Sequence, residues 1–173
     1  MVASEAVPYA KTGGLADVAG ALPLELAKLG HDVILLLPHY RCLNESGRSF
    51  RPICWLRVPT PQGPVDTLVE EDILPAGQGD RQLRVWTIRN EGFFDRPGLY
   101  QHQGLDYPDN LNRFSFFCRA TIEVMAYLHT ACRWKTHLLH LHDWQTALCA
   151  VYLNTIVRDR QDVAAPEVRS VLT

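Results

Sequence analysis

Three features of the sequence predict an α/β fold built on a doubly wound parallel sheet. Short apolar runs of strand length alternate with longer segments of helical periodicity, the pattern of strand–helix–strand units. One of these runs, Val33 to Leu37, is apolar without a break, as a strand covered on both faces requires. A glycine pair, Gly13 and Gly14, stands between the first strand tail and the first helix. A chain of 173 residues suffices for one such domain and is short for two, so a single domain over 1–173 is expected.

The elements follow in order. Val2 to Ser4 is the tail of a strand, and residues 8–14 form a loop opened by Pro8. The helix after it sets Leu15, Val18, Leu22, Leu26 and Leu29 on one face at three- and four-residue steps, and that face is expected to be buried. Pro23 should kink or break it, and Gly30 suits the left-handed position just past its end. Val33–Leu37 is the next strand. From Phe50 the character changes. Runs at Ile53–Val58 and Val65–Leu74 are separated by Pro and Gly clusters at 59–64 and 75–79, which reads as a β-ribbon insertion over residues 50–82. It returns to the main sheet at Leu83–Ile88. A long aromatic loop spans Asn90 to Tyr107. Asp109 or Asn110 opens a helix that buries Leu111, Phe114, Cys118, Ile122, Met125 and Leu128. Leu138–His142 is a strand, Trp144–Val157 a helix, and Val168–Thr173 the start of another strand. Ligands of such sheets bind beyond the carboxyl ends of the strands. That rule selects residues 4–17, 90–110 and 142–146.

Composition narrows the function classes. Apolar content of 47% with 21% charged residues is that of a globular domain, not a disordered one. A formal net charge of -2 gives no electrostatic case for nucleic acid or an anionic membrane. The cysteines at 42, 54, 118, 132 and 149 form no C-x-x-C pair and have no histidine at zinc-ligand spacing. They read as buried free thiols in a reducing compartment. With no signal-like leader and no apolar run of membrane length, a cytoplasmic location is expected, and neither a metal nor an organic cofactor is called for.

Each selected segment carries two readings. Lys11-Thr12-Gly13-Gly14 lets the backbone approach a ligand closely, at a helix N-terminus that favours an anion, with Lys11 adding a point charge. The same residues also make an ordinary glycine turn beside an exposed lysine. The spacing is neither a dinucleotide fingerprint nor a P-loop. Asp17 falls in the first helical turn, where the helix dipole favours an acid in any case. His140 and His142 share a strand face and could pair on a metal, but no third ligand stands at suitable spacing. Asp143, Trp144 and Gln145 close a strand and open a helix. There Asp143 can cap and Trp144 can pack, or carboxylate, amide and indole can together hold a sugar. Phe94-Asp95-Arg96 and Tyr107-Pro108-Asp109-Asn110 bound a loop that either packs around an Asp95–Arg96 bracket or offers Tyr100 as a stacking platform.

In order, these segments resemble the bacterial glycogen synthase and plant starch synthase family. The residues that carry the resemblance are Val-Ala-Ser-Glu at 2–5, Lys-Thr-Gly-Gly-Leu-Ala-Asp-Val at 11–18, Gly-His-Asp-Val at 30–33 and Leu-Pro-His-Tyr at 37–40. Phe-Phe-Asp-Arg-Pro-Gly-Leu-Tyr at 93–100, Asp-Tyr-Pro-Asp-Asn at 106–110 and His-Asp-Trp-Gln-Thr-Ala-Leu at 142–148 complete the set. The resemblance implies the Rossmann-like N-terminal half of a GT-B glycosyltransferase. Such an enzyme moves glucose from ADP-glucose to the non-reducing end of an α-1,4-glucan, with retention. It implies catalytic roles for Lys11 and Asp17, with Lys11 beside the departing diphosphate and Asp17 orienting a substrate hydroxyl. Lys11, Thr12, Gly13 and Gly14 would meet the donor, and Tyr100, Asp143, Trp144 and Gln145 the acceptor. Many relatives carry His where Gln145 stands. The family pattern also places a few more apolar residues before Met1. After Thr173 it places an Ile-His-Asn continuation and a C-terminal nucleotide-binding domain, so the chain is expected to be an incomplete N-terminal domain, inactive alone. A plastid stroma would replace the cytoplasm in a plant. Two rivals remain at this level, a non-catalytic glucan-binding module and a related transferase using a UDP-sugar. A flavodoxin-like regulatory domain lacks the acidic pocket and flavin loop it would need.

Overall fold

The computed structural model describes residues 1–77, 80–158, 160–163 and 168–173. The fold is α/β around a mixed sheet. Its strands are β1 (Ile34–Pro38), β2 (Arg51–Val58), β3 (Val65–Pro75), β4 (Gln82–Arg89), β7 (Leu138–Leu141) and β8 (Arg169–Leu172). Val2 bridges Leu36 on one side and Leu141 on the other, both in parallel. The segment around Val2 therefore lies centrally, between β1 and β7. Across the sheet the order is β8, β7, the Val2 segment, β1, β4, β3, β2.

From β8 to β4 neighbouring strands run parallel, whereas β3 and β2 add on antiparallel. The parallel sheet and the β-ribbon read from sequence thus belong to one mixed sheet. The reason is local: β2, β3 and β4 are joined by short turn-rich connections, and only antiparallel neighbours can be joined that way. The predicted ribbon is present, but as the edge of the main sheet rather than an excursion from it. Gln78 and Gly79 of the 75–79 cluster lie outside the described residues. Glu71 locks the ribbon. Burial pushes its carboxyl up, but bonds from Trp86, Arg84 and Arg51 outweigh that and hold it below the usual range.

Helix α1 (Gly14–Lys28) continues through Pro23 and ends in the cap expected at Gly30. Gly30 has a φ of 94°, and the amides of Gly30 and His31 bond back to the carbonyls of Ala27 and Leu26. Its buried face is not the leucine stripe. Ala16, Ala19, Gly20, Pro23 and Ala27 face the sheet, while Val18 is 52% and Leu29 75% exposed. Contact distance explains the reversal. A Cβ on Gly20 would stand 2.5 Å from both Cγ2 and the carbonyl oxygen of Val7, so only small residues fit the face in contact.

Helix α4 (Asn110–Thr130) is the centre of the core. Phe114, Cys118, Ile122, Met125 and Leu128 are buried as expected, and so are Phe116, Phe117, Ala120 and Val124 on its other sides. Leu111, expected inside, lies in the first turn of α4 and is 69% exposed. Helix α5 (Trp144–Asn154) packs against α4 and β7. Cys118 and Cys149 are buried between these helices, Cys54 is half-buried, and Cys42 and Cys132 are exposed, so the expectation of uniformly buried thiols is corrected. The loop from Asn90 contains a single helical turn, α3 (Glu91–Phe94), and a two-residue ribbon, β5 (Gln101–His102) with β6 (Leu105–Asp106). Helix α2 (Arg41–Asn44) follows β1.

Candidate functional site at the carboxyl ends of the strands

The Val2 segment, β1, β4 and β7 deliver four groups of residues to one end of the sheet: Ser4-Glu5, His39-Tyr40, the 90–107 loop and His142-Asp143-Trp144. Ser4 and Glu5 join the two lips of this face. The Ser4 hydroxyl meets the Tyr100 hydroxyl at 2.7 Å. Buried Glu5, with its side chain turned the other way, takes the amide of Thr12 through Oε2 and the Thr12 hydroxyl at 2.9 Å.

On the Thr12 lip, Lys11 Nζ donates to both carboxylate oxygens of Asp17, at 2.6 and 2.8 Å. Both residues are exposed. An exposed ion pair of this kind is worth at most about 1 kcal/mol, so Lys11 can be drawn to a stronger anion at little cost. Gly13 is the N-cap of α1 in extended conformation and provides no side-chain cap. A Cβ on Gly14 would find nothing within 4 Å, and one on Gly13 would touch only Glu5 Oε1 at 3.9 Å. The molecule itself therefore gives no steric reason for glycine at either position.

On the other lip, Tyr100, Phe114 and Trp144 form a row. The Phe114 ring lies 5.8 Å from Tyr100 and 5.3 Å from Trp144, the latter edge to face. Trp144 is 53% exposed. Burial, with the nearby carboxylates of Glu5 and Asp143, pushes the Tyr100 phenol well above its ordinary range, so it stays protonated and able to donate. Asp143 is exposed, and its Oδ1 accepts the Trp144 amide at 2.6 Å. Its backbone is at φ 64° and ψ 178°, a region almost reserved for glycine. Bonds from His142 N to Val2 O and from Asp143 N to Thr173 O hold it there.

The sequence model of the starch synthase catalytic domain matches this chain over residues 1–173. The chain belongs to that family. It is 40% identical over 159 residues to the glycogen synthase of Syntrophotalea carbinolica, covering 90% of this chain and 30% of that enzyme. It is 38% identical over 176 residues to glycogen synthase 1 of Geobacter sulfurreducens, covering all of this chain and 33% of that one. Among solved structures it resembles the catalytic domain of starch synthase IV from Arabidopsis thaliana bound to ADP and acarbose. The TM-score is 0.75 at 27% identity, over 99% of this chain and 32% of that one. The chain thus spans about a third of the length of these relatives.

Within this starch synthase domain the fold brings Lys11, Thr12 and Asp17 together on one lip, and Tyr100, Asp143 and Trp144 on the other. Gln145 is set apart. It is 5% exposed and lines a pocket of about 110 Å3 behind Trp144 with Leu111, Phe114, Ser115 and Leu148. The Asp95–Arg96 bracket does not form, because Asp95 pairs with Arg41 at 2.6 Å and Arg96 with Asp109 at 2.6 Å. His140 and His142 stack at 4.2 Å and share the Thr173 hydroxyl, with no group of three metal-binding side chains among the described residues. No helix among them is long and apolar enough to cross a membrane. A cavity of about 680 Å3 lies at the other end of the sheet, between Val33-Ile34 and Leu138-Leu139.

Sequence reasoning did not single out Ser4, Glu5 or Phe114 as site residues. Glu5 had a readable signal, a lone carboxylate directly after an apolar strand tail in a parallel sheet. Helical spacing places Phe114 in the core, and its second face toward Tyr100 and Trp144 depends on loop placement that no local pattern records.

Proposed function

We propose that this domain is the N-terminal half of a GT-B glucosyltransferase whose complete form transfers glucose from ADP-glucose to the non-reducing end of an α-1,4-glucan, with retention. In this reading the sheet is one doubly wound half of the enzyme. A separate C-terminal domain holds the nucleotide, and the enzyme works in the cytoplasm. Gly13 and Gly14 carry the proposal. Two glycines at an uncapped helix N-terminus, with open space where side chains would be, are explained by a ligand that comes up against the backbone. A diphosphate suits that place, since helix amides and Lys11 both favour negative charge.

Lys11 would leave Asp17 for the departing diphosphate and stabilise charge that grows in the transition state. Asp17, freed, would take a glucosyl hydroxyl. Thr12, its amide and hydroxyl both held by Glu5, would position the loop beside the donor. The acceptor glucan would lie along Tyr100 and Trp144, with its hydroxyls on Asp143 and Gln145 supporting Trp144 from behind. The ADP and acarbose of the starch synthase IV structure agree in kind with a nucleotide and a glucan.

The test has two arms. Titration of the chain with maltohexaose should give weak binding that Trp144→Ala lowers by about tenfold or more, the loss of one anchor residue. In the complete enzyme, Lys11→Ala should lower kcat about 10²–10³-fold with a smaller change in KM for the glucan. An unchanged kcat would remove Lys11 from the reaction.

A further inference from the structure

We infer that Arg113 is the positioning residue that fixes Tyr100 on the acceptor wall, an inference that rests on the acceptor reading of Tyr100. Arg113 has no exposed surface. It makes no ion pair among the described residues, and the nearby Asp109 carboxylate is already held by both terminal nitrogens of Arg96. An interior cation without a paired anion is expensive, and a well-packed apolar side chain of similar volume would often serve stability as well or better. What offsets the cost is a set of bonds to one segment. Nε donates to the carbonyl of Phe93 at 2.7 Å, and Nη1 donates to the carbonyl of Leu99 at 2.8 Å and to Asn110 Oδ1 at 2.7 Å. The guanidinium also lies 5.0 Å from the centre of the Tyr107 ring and 5.4 Å from that of Phe114.

These partners share a location. Phe93 and Leu99 bound the stretch of chain that leads into Tyr100. Asn110, held by Arg113, turns its amide nitrogen to the Tyr100 carbonyl at 2.8 Å, and the Tyr107 amide meets the same carbonyl at 3.0 Å. Tyr100 is then held through its main chain by the Arg113 cluster and at its hydroxyl by Ser4. A planar fork that reaches two carbonyls and an amide at once is something arginine provides and lysine does not. The charge is kept inside the domain for the loop, and the loop presents the ring.

The experiment compares the wild-type chain with Arg113→Met and Arg113→Lys. It reads exchange of the Tyr107 amide by NMR and maltohexaose affinity per folded molecule by tryptophan fluorescence. Arg113→Met is expected to speed Tyr107 exchange and weaken affinity, each by about tenfold or more, and Arg113→Lys to recover part of both. The inference is overturned if the Met variant folds with wild-type exchange and affinity, or if lost binding only follows lost folded fraction. Should Arg113→Met not fold, Arg113→Lys, which keeps the charge but not the fork, decides on the same two readings. If the wild-type chain shows no maltohexaose binding, the acceptor reading fails, and Tyr107 exchange alone still decides whether Arg113 fixes Tyr100.

Discussion

Replacing Gly14 by alanine should make the domain more stable and the enzyme worse. Gly14 opens α1, its φ lies outside the left-handed region, and a Cβ there would meet nothing within 4 Å. Alanine can therefore adopt the native backbone without strain. Its gain comes from the smaller entropy of the unfolded chain and is about 0.4–1 kcal/mol. At this chain length that is a rise in Tm of about 1–4 °C. Gly20→Ala on the same helix is the control. Its Cβ would fall 2.5 Å from Val7 Cγ2 and from the Val7 carbonyl, so the helix and the turn at Val7 must separate. Overpacking of that kind costs about 1–3 kcal/mol and outweighs the helix-propensity gain. Thermal and urea denaturation of the two variants measure these opposite signs. In the complete enzyme, the Gly14 methyl would occupy space proposed for the donor, and a displacement of about 1 Å costs on the order of 10²-fold in kcat/KM. The reasoning is refuted if Gly14→Ala is destabilising, or if it is stable and turns over ADP-glucose like the wild type.

Other outcomes follow from the same geometry. Asp143→Gly should relieve about 1 kcal/mol or more of backbone strain at φ 64° while lowering maltohexaose affinity, and a fall in urea midpoint would contradict the strain account. Burial, with His140 and the α-amino group nearby, holds the His142 imidazole down at about 4 from an ordinary 6.5. Between those values the unfolded chain takes up a proton that the folded one refuses. Stability should therefore be intact above pH 6.5 and fall toward pH 4, with a slope of up to about 1.4 kcal/mol per pH unit. Urea midpoints across that window should fall less steeply in His142→Gln, and an unchanged slope would exclude His142 as the source. Lys11→Met should change stability by less than about 1 kcal/mol, because it removes one exposed ion pair, and a larger loss would show Lys11 to be structural. Finally, the isolated chain should incorporate no labelled glucose into glycogen, and measurable incorporation would sink the half-cleft reading.

Much of the fold was legible because periodicity reports burial and the burial is regular. The runs at 53–58, 65–74 and 83–88 became β2, β3 and β4, and the Gly30 cap formed where a glycine follows the last helical turn. The failures have physical causes. The leucines of α1 signalled a buried stripe, but contact distance set by the Val7 backbone selected the alanine and glycine side. The ribbon's place at the edge of the main sheet is not legible because a strand's own sequence does not record which strand it pairs with. At the site, glycine, lysine and tryptophan at strand ends were readable from residue type. Their supports were not, since Ser4–Tyr100, Glu5–Thr12 and Arg113–Leu99 each join residues brought together only by the sheet or the loop.

The two lips differ in how firmly they are held, and the difference suits their proposed tasks. Tyr100 is fixed at its carbonyl by Asn110 and Tyr107 and at its hydroxyl by Ser4, and Trp144 stands on a turn whose strain is maintained by β8 and the Val2 segment. A polymer acceptor needs such a preformed wall, because ordering side chains on binding would subtract from an already weak, shallow contact. Lys11 is held only by an exposed partner that can be exchanged. A cation that must follow charge from a bound sugar diphosphate to a departing diphosphate gains from that freedom, since a side chain buried in a fixed pair could not move with the charge. Glu5 reconciles the two demands. It anchors Thr12, next to Lys11, to the same strand end that anchors Tyr100, so the lysine stands on a backbone that is itself registered to the proposed acceptor wall.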